Sequence, residues 1–275
     1  MPADASEMAA QSRVVGKNAV MALLQASPER VFKIIFEQDA KPDKRLDRIR
    51  ELAESAGVAI QRAPWKKLAA LAAQGQSADE TEGGGAIPHQ GVIAIVAPKP
   101  LLDLHGLLQK LQPQLAAGAW PRVMLLDGVT DPRNVGAILR VADAAGFSAV
   151  VMSKRDCPGF GPAVSKAASG ADAAMDVAVV GNLTQAMEEL KRGGFWSVGA
   201  VAEEPGARLY CQQDYAMPTV LALGAEGAGL SRLVREHCDF RVTIPMAGAV
   251  DSLNVACAAA VLAFDAQARF PAPNV

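Results

Sequence analysis

Three polar segments in the second half of the chain carry residue types that could do chemistry. The first, DGVTDPRNVGAILRVADAAGF, runs from Asp127 to Phe147. It follows an apolar run of buried-strand type and opens a helix. Such a loop sits at the carboxyl edge of a parallel sheet, where open α/β proteins bind ligands. Asn134 can cap the helix or turn the loop, Gly136 allows close packing, and Arg140 lies about a turn beyond it. The second segment, VLALGAEGAGLS, spans Val220–Ser231 and sets Glu226 between glycines at a strand-to-helix junction. Glycines there let the backbone approach a ligand closely. The spacing is G-x-x-G-x-G, so it lacks the G-x-G-x-x-G that a dinucleotide fold requires. The third, IPMAGAVDSLNVACAAAVLAF, spans Ile244–Phe264. A strand ends at Pro245, a glycine-bearing loop follows, and Ser252-Leu253-Asn254 open a very apolar helix. Ser252 is its expected N-cap. Asn254 is a polar amide beside an apolar run and needs a partner where it is buried. Read singly, each segment has an ordinary structural explanation.

The elements that must position these residues alternate in type. From Val123 onward, apolar strands (Val123–Leu126, Ala149–Met152, Asp176–Val179, Trp196–Ala200, Thr219–Leu223, Phe240–Ile244) are separated by helical patterns near 135–145, 164–168, 183–191, 231–237 and 252–267. This alternation predicts a parallel sheet covered on both faces. The first half reads as a smaller α/β unit. Its helices are expected at 17–25, 44–56 and 65–73, and its strands at 32–36, 58–61 and 91–97, with a polar glycine-rich loop at Gly75–Pro88. Gly57 stands where a helix-ending glycine belongs. The expected organisation is a disordered leader over 1–12, a first domain over 13–97, a connection carrying one helical stretch over 98–120, and a second domain over 121–275.

Composition narrows the function classes. Half of the 275 residues are hydrophobic and the net charge is −2, which suits a globular α/β chain and argues against disorder. No apolar run reaches bilayer length and the first residues hold no signal core, so the chain reads as soluble and cytoplasmic. Cys157, Cys211, Cys238 and Cys257 are scattered, as are His89, His105 and His237; neither a disulfide framework nor a metal site is expected. Between Arg13 and Lys67 twelve Lys/Arg face seven Asp/Glu, a local excess able to meet phosphates.

Together the segments resemble the signature motifs of the SpoU family of RNA ribose 2′-O-methyltransferases. The pieces are D-x-x-N-x-G-x-x-x-R at Asp131–Arg140, L-G-A-E-G-x-G-L at Leu223–Leu230 and I-P-M-x-G-x-V-x-S-L-N-V at Ile244–Val255, in the family's order and spacing. V-G-x-N-A-V at Val15–Val20 and H-Q-G-V at His89–Val92 look like the substrate-binding domain of the bacterial branch that methylates a guanosine in 23S rRNA. That domain is similar in fold to ribosomal proteins of the L30e type.

The resemblance implies a trefoil knot in the second domain, S-adenosylmethionine as cofactor, no metal, and a homodimer whose subunits complete the site. It implies that Gly224, Ile244 and Leu253 hold the cofactor, mostly through backbone groups, with Met246 and Ser252 close by. It makes Arg140 the proton acceptor or organiser, with Asn134, Glu226, Ser252 and Asn254 around it. A guanidinium almost never deprotonates, so Arg140 fits better as a phosphate clamp stabilising the developing alkoxide. Three features depart from the family: Ala256 where Ser is common, Asp251 ahead of the S-L-N core, and the glycine- and proline-rich RDCPGFGP at Arg155–Pro162. Alternatives are a transfer RNA loop as the substrate, or a non-catalytic RNA-binding homologue, against which the retained polar residues speak. The missing fingerprint speaks against a dehydrogenase.

Overall fold

The computed structural model describes residues 12–73 and 89–270. The expected leader, apart from Ser12, and the expected loop Gly75–Pro88 lie outside the described residues. The chain divides into two compact units. The first holds the chain up to Pro100 together with Gly159–Ala174, and the second holds Leu101–Pro158 and Met175–Val275.

The first unit is built on strands β1 (Ser12–Val15), β2 (Val31–Glu37), β3 (Ala59–Ala63) and β4 (Val92–Val96), in the order β1-β4-β2-β3. Helices α1 (Lys17–Ala26), α2 (Lys44–Ser55) and α3 (Trp65–Ala73) accompany them. Only β2 and β3 run parallel; β4 is antiparallel to both β1 and β2. Alternation along β4 explains why every residue in it is buried. Val92, Ala94 and Val96 join a cluster with α1 and α2 residues such as Leu23 and Ile49, while Ile93 and Ile95 join one with Leu68 and Ala72 of α3. Helix α2 starts because the Asp43 carboxylate accepts from the Arg45 and Leu46 amides at 2.8 and 3.2 Å. It is followed by Gly57 at φ +68°, the left-handed turn that glycine adopts without penalty.

In the second unit, α4 (Leu104–Ala116), β5 (Arg122–Asp127), α5 (Pro132–Ala144) and β6 (Ala149–Ser153) follow in turn. The chain then leaves for the first unit, where it forms α6 (Pro162–Ala168) and α7 (Ala171–Ala174). It returns as β7 (Asp176–Val180), α8 (Leu183–Arg192), β8 (Trp196–Ala200), β9 (Arg208–Leu209), β10 (Thr219–Gly224), α9 (Arg232–His237), β11 (Phe240–Thr243) and α10 (Val255–Arg269). The sheet order is β7-β6-β5-β10-β8-β11-β9, parallel at every pairing. The connection expected over 98–120 is thus no bare linker. Its helix α4 buries Leu104, Leu107 and Leu111 against Val123, Leu125 and Val151 of the sheet. Helix α10 is apolar nearly all round. It buries Val255, Ala259, Leu262, Ala263 and Ala266, packs on α5, and leaves Phe264 44% exposed on its outer side.

Three elements lie outside the sequence reading: β1, β9 and α7. All are four residues or shorter. Helix α6, expected within the second domain, packs instead on β1 in the first unit. There the Ser165 hydroxyl donates to the buried Asp172 carboxylate at 2.5 Å, and the Lys99 ammonium donates to the Asp172 carbonyl. Gly170 completes the fit, because a Cβ there would lie 2.4 Å from that of Ala22 on α1.

Candidate active site

The carboxyl ends of β8, β10 and β11 enclose a cleft of about 740 Å³, part of it open to solvent. The parallel register carries all three strands to one edge, and helices cover both faces, so the strand ends are where a ligand finds free backbone groups. Gly224, Ile244, Met246, Ser252 and Leu253, far apart in sequence, all line this cleft, as does Glu226.

The β10–α9 loop folds tightly back on itself. The Gly229 amide donates to the Ala225 carbonyl at 2.8 Å. A Cβ on Gly224 would fall 2.0 Å from the Gly229 carbonyl carbon, so this loop closes only with glycine at 224. The glycine that seemed chosen for ligand approach is required first by the loop's own backbone. Asp127, at the end of β5 and paired in register with Gly224, accepts from the Ser231 amide at 2.7 Å and fixes where α9 begins.

A side-chain network stands beside the cleft. The Asn254 amide nitrogen donates to Asn134 Oδ1 at 3.0 Å and to Glu226 Oε2 at 3.2 Å. Asn254 Oδ1 accepts from the Ala256 amide at 3.0 Å, which fixes the orientation of the side chain. Two expectations are thereby corrected. The N-cap of α10 is Asn254, not Ser252, whose hydroxyl turns to Asp251 Oδ1 at 3.0 Å. Asn134 caps nothing: Asp131 caps α5 by accepting from the Arg133 amide at 2.8 Å, leaving Asn134 in the first turn to meet Asn254. Asn254 is exposed, so its partners serve position and not only burial.

Arg140 is not among the residues lining the cleft. It lies six positions beyond Asn134 on α5, about 9 Å along the helix, and is exposed. Sequence reasoning missed Ala200 at the end of β8, Val201 and Ala202 beyond it, and Ala258 and Leu262 on α10, which wall the cleft. Their types are bland. Only the sheet order, which sets β8 beside β10, brings them in. No group of three or more His, Cys, Asp or Glu that could hold a metal occurs among the described residues.

An open parallel sheet, an apolar cleft at its carboxyl edge and a polar network beside that cleft define an α/β protein built to seat a partly apolar cofactor. Residues 121–264 match the SpoU rRNA methylase family, and residues 13–78 match the domain described as RNA 2′-O ribose methyltransferase substrate binding. The chain belongs to the SpoU rRNA methylase family. It is 40% identical over 262 residues to the 23S rRNA (guanosine-2′-O-)-methyltransferase RlmB of Pseudomonas putida, covering 94% of this chain and 97% of the relative. It is 40% identical over 254 residues to the enzyme of that name from Escherichia coli, covering 92% and 96%. Among solved structures, the SpoU methyltransferase AviRb from Streptomyces viridochromogenes, in complex with AdoMet, shares the fold. Its TM-score is 0.72 at 23% identity, covering 96% of this chain and 92% of that one. No helix among the described residues is long and apolar enough to cross a membrane.

Proposed function

We propose that this chain transfers a methyl group from S-adenosylmethionine to the ribose 2′-hydroxyl of a guanosine in 23S rRNA, in the cytoplasm. The observation that carries the reading is the convergence of Gly224, Ile244, Met246, Ser252 and Leu253 on one cleft, in a chain that matches RlmB enzymes over 94% of its length. The cleft fits the cofactor chemically. Leu223, Val242, Val255 and Leu262 offer apolar walls for an adenine and the methylenes of the methionyl chain, and the loops after β8, β10 and β11 offer main-chain donors and acceptors. When bound, S-adenosylmethionine supplies a methyl group already activated by its sulfonium.

The chain's own task is to place the 2′-oxygen and stabilise the charge that grows on it. Placement alone contributes several kcal/mol, on the order of 7–11 in the best intramolecular cases. The Asn134–Asn254–Glu226 network would fix the ribose edge beside the cleft. Arg140 would clamp an RNA phosphate and, as a donor, stabilise the developing alkoxide while the 2′-hydroxyl proton leaves by way of that phosphate to solvent. Arg140, which does not line the cleft of its own chain, would serve the site of a second copy. A homodimer packed through α5 and α10 would bring it there, and the exposed Phe264 and Cys257 on α10 support that face. In this reading the first unit holds the RNA and the second, Leu101–Pro158 with Met175–Val275, carries out the transfer. The sheet order, which takes β11 beyond β8 while β10 sits between β5 and β8, supports a knot in the final segment.

The test is transfer of labelled methyl groups to unmodified 23S rRNA and to total transfer RNA, with the product nucleoside identified by mass spectrometry. 2′-O-methylguanosine from 23S rRNA is expected; label on a base atom, or only in transfer RNA, overturns the assignment.

A further inference from the structure

The amino-terminal ends of β8, β9 and β11 carry a cluster that the methyl-transfer chemistry leaves unused. Trp196, the first residue of β8, is 48% exposed, a large aromatic surface left in water. Its ring meets Phe240, the first residue of β11, with centroids 5.8 Å apart and planes tilted by 31°. The guanidinium of Arg208, the first residue of β9, stands 5.2 Å from the Phe240 centroid. Beside this ladder, Arg235 and Arg241 share one carboxylate, Glu204, at 3.4 and 3.3 Å. Two neighbouring carboxylates have cations of their own: Glu236 takes Arg232 at 2.9 Å, and Asp239 takes Lys191 at 2.9 Å. Two guanidiniums therefore share one carboxylate, and among the described residues no carboxylate pairs with Arg208. The hollow lined by Arg208, Arg235 and Arg241, with Glu236 and Asp239, measures about 530 Å³, part of it open to solvent.

An exposed indole beside a half-buried ring, a guanidinium stacked on that ring and surplus positive charge are what an unpaired nucleotide needs: a face for its base and donors for its phosphate. Duplex RNA stacks its bases internally and leaves such rings nothing to receive. The ladder starts at Trp196, about 13 Å along β8 from the cleft, and reaches Arg208, which is in register with Val242 and through it with Ala200 at the cleft edge. It is therefore placed for nucleotides flanking the one being modified.

We propose that this Trp196–Phe240–Arg208 ladder, with Arg241 and Arg235, is a second RNA-contacting surface of the methyltransferase unit, specific for an unpaired segment next to the target nucleotide. The proposal rests on the RNA reading above. The competing explanation is that arginine on a short edge strand merely blocks edge-to-edge pairing of sheets.

Labelled single-stranded oligouridine and a duplex of equal length separate the two. Trp196→Ala is expected to weaken oligouridine binding about tenfold and leave the duplex unchanged. Arg208→Gln combined with Arg241→Gln is expected to lower the slope of log affinity against log salt by about 1.4 on the single strand. Arg208→Gln alone, which leaves both Glu204 pairs intact, should give about half that change. Calorimetric S-adenosylmethionine affinity and the melting temperature should stay at the wild-type values.

Wild-type binding of both RNAs by these variants overturns the proposal. So does equal loss on the duplex, or a wild-type chain that binds no RNA. The failures are distinguishable. If the wild type methylates rRNA and the variants bind like it, the ladder alone is refuted. If the wild type methylates no RNA but oligouridine binding falls in the variants, the reaction is refuted and the ladder stands.

Discussion

Asn254 and Asn134 stand 120 positions apart in the chain, yet the amide of one donates to the carbonyl of the other at 3.0 Å. The contact ties the N-cap of α10 to the first turn of α5, and Glu226 completes it from the β10–α9 loop at 3.2 Å. Because Asn254 also caps α10, its two roles can be separated. Asn254→Ala removes the cap and the donor together, at a cost of about 1 kcal/mol of stability from the cap alone. Asn254→Asp keeps the capping oxygen and suits the helix N-terminus, but it removes the donor and sets a second carboxylate beside Glu226. Asn254→Asp should therefore melt closer to wild type than Asn254→Ala, yet lose methyl transfer about a hundredfold through misplacement of the site. Paired melting curves and initial rates check this. An aspartate variant with near-normal rates would remove the network from the site.

Arg140 carries the prediction about assembly. Arg140→Ala should abolish transfer and leave S-adenosylmethionine affinity unchanged, because Arg140 does not line the cleft. If it serves the second copy's cleft, mixing Arg140→Ala with Asn254→Asp chains makes mixed dimers in which one site carries both defects and the other neither. Random pairing then restores roughly a quarter of the sites. Recovery near that level is the expected result. No recovery, with dimers confirmed by sedimentation, would mean that Arg140 acts within its own chain.

Much of this was legible because strands and helices impose their own periods. Trp65–Ala73 and Trp196–Ala200 occur at the bounds their patterns predict, and the motif residues that line the cleft were readable as types and spacings. What was hidden depends on order in space. Ala200 and Val201 look like any strand end until β8 is seen beside β10. The cap of α10 was misread because Ser252 and Asn254 are both good caps, and only the Ala256 amide's choice of partner decides. Strands β1 and β9 are too short to show an alternating pattern. Nothing in GFGPAVSKAASGADAA signals that this stretch packs on α1 and β1 rather than on the sheet that flanks it in sequence.

That excursion makes a stability prediction. Gly170 (φ +98°) and Gly159 (φ +78°) both adopt backbone conformations that favour glycine. At Gly170 an added Cβ would meet Ala22 Cβ at 2.4 Å and Ala19 Cα at 3.1 Å, whereas at Gly159 it would meet nothing within 4 Å. Alanine at either position pays for the backbone, but only Gly170→Ala adds overpacking, worth about 1–3 kcal/mol more. Gly170→Ala should melt measurably below Gly159→Ala and speed tryptic cleavage at Lys154 and Arg155. Equal melting of the two variants would show that α7 does not seat against α1 as described.

Acid should find a specific weak point at Asp239. Burial pushes its carboxyl up, but the Ser197 hydroxyl, the Ser197 amide and the Lys191 ammonium together outweigh burial and hold it below the usual carboxylate range. The geometry matches. Asp239 Oδ2 accepts from Ser197 Oγ at 2.7 Å and from Ser197 N at 2.9 Å, and Oδ1 accepts from Lys191 Nζ at 2.9 Å, so the start of β11 is pinned to the start of β8. A carboxyl whose folded pKa is depressed binds fewer protons folded than unfolded. Its contribution is therefore fully present above the unfolded value of about 3.9 and is lost as the pH falls through the folded one. Asp239→Asn should lower stability at pH 7. It should also flatten the fall in stability below about pH 4, so that the variant and wild-type curves converge in acid. Denaturant melts at pH 7, 5, 4 and 3 measure this. Parallel curves across that range would mean that the Ser197–Asp239–Lys191 clamp holds no proton-linked stability.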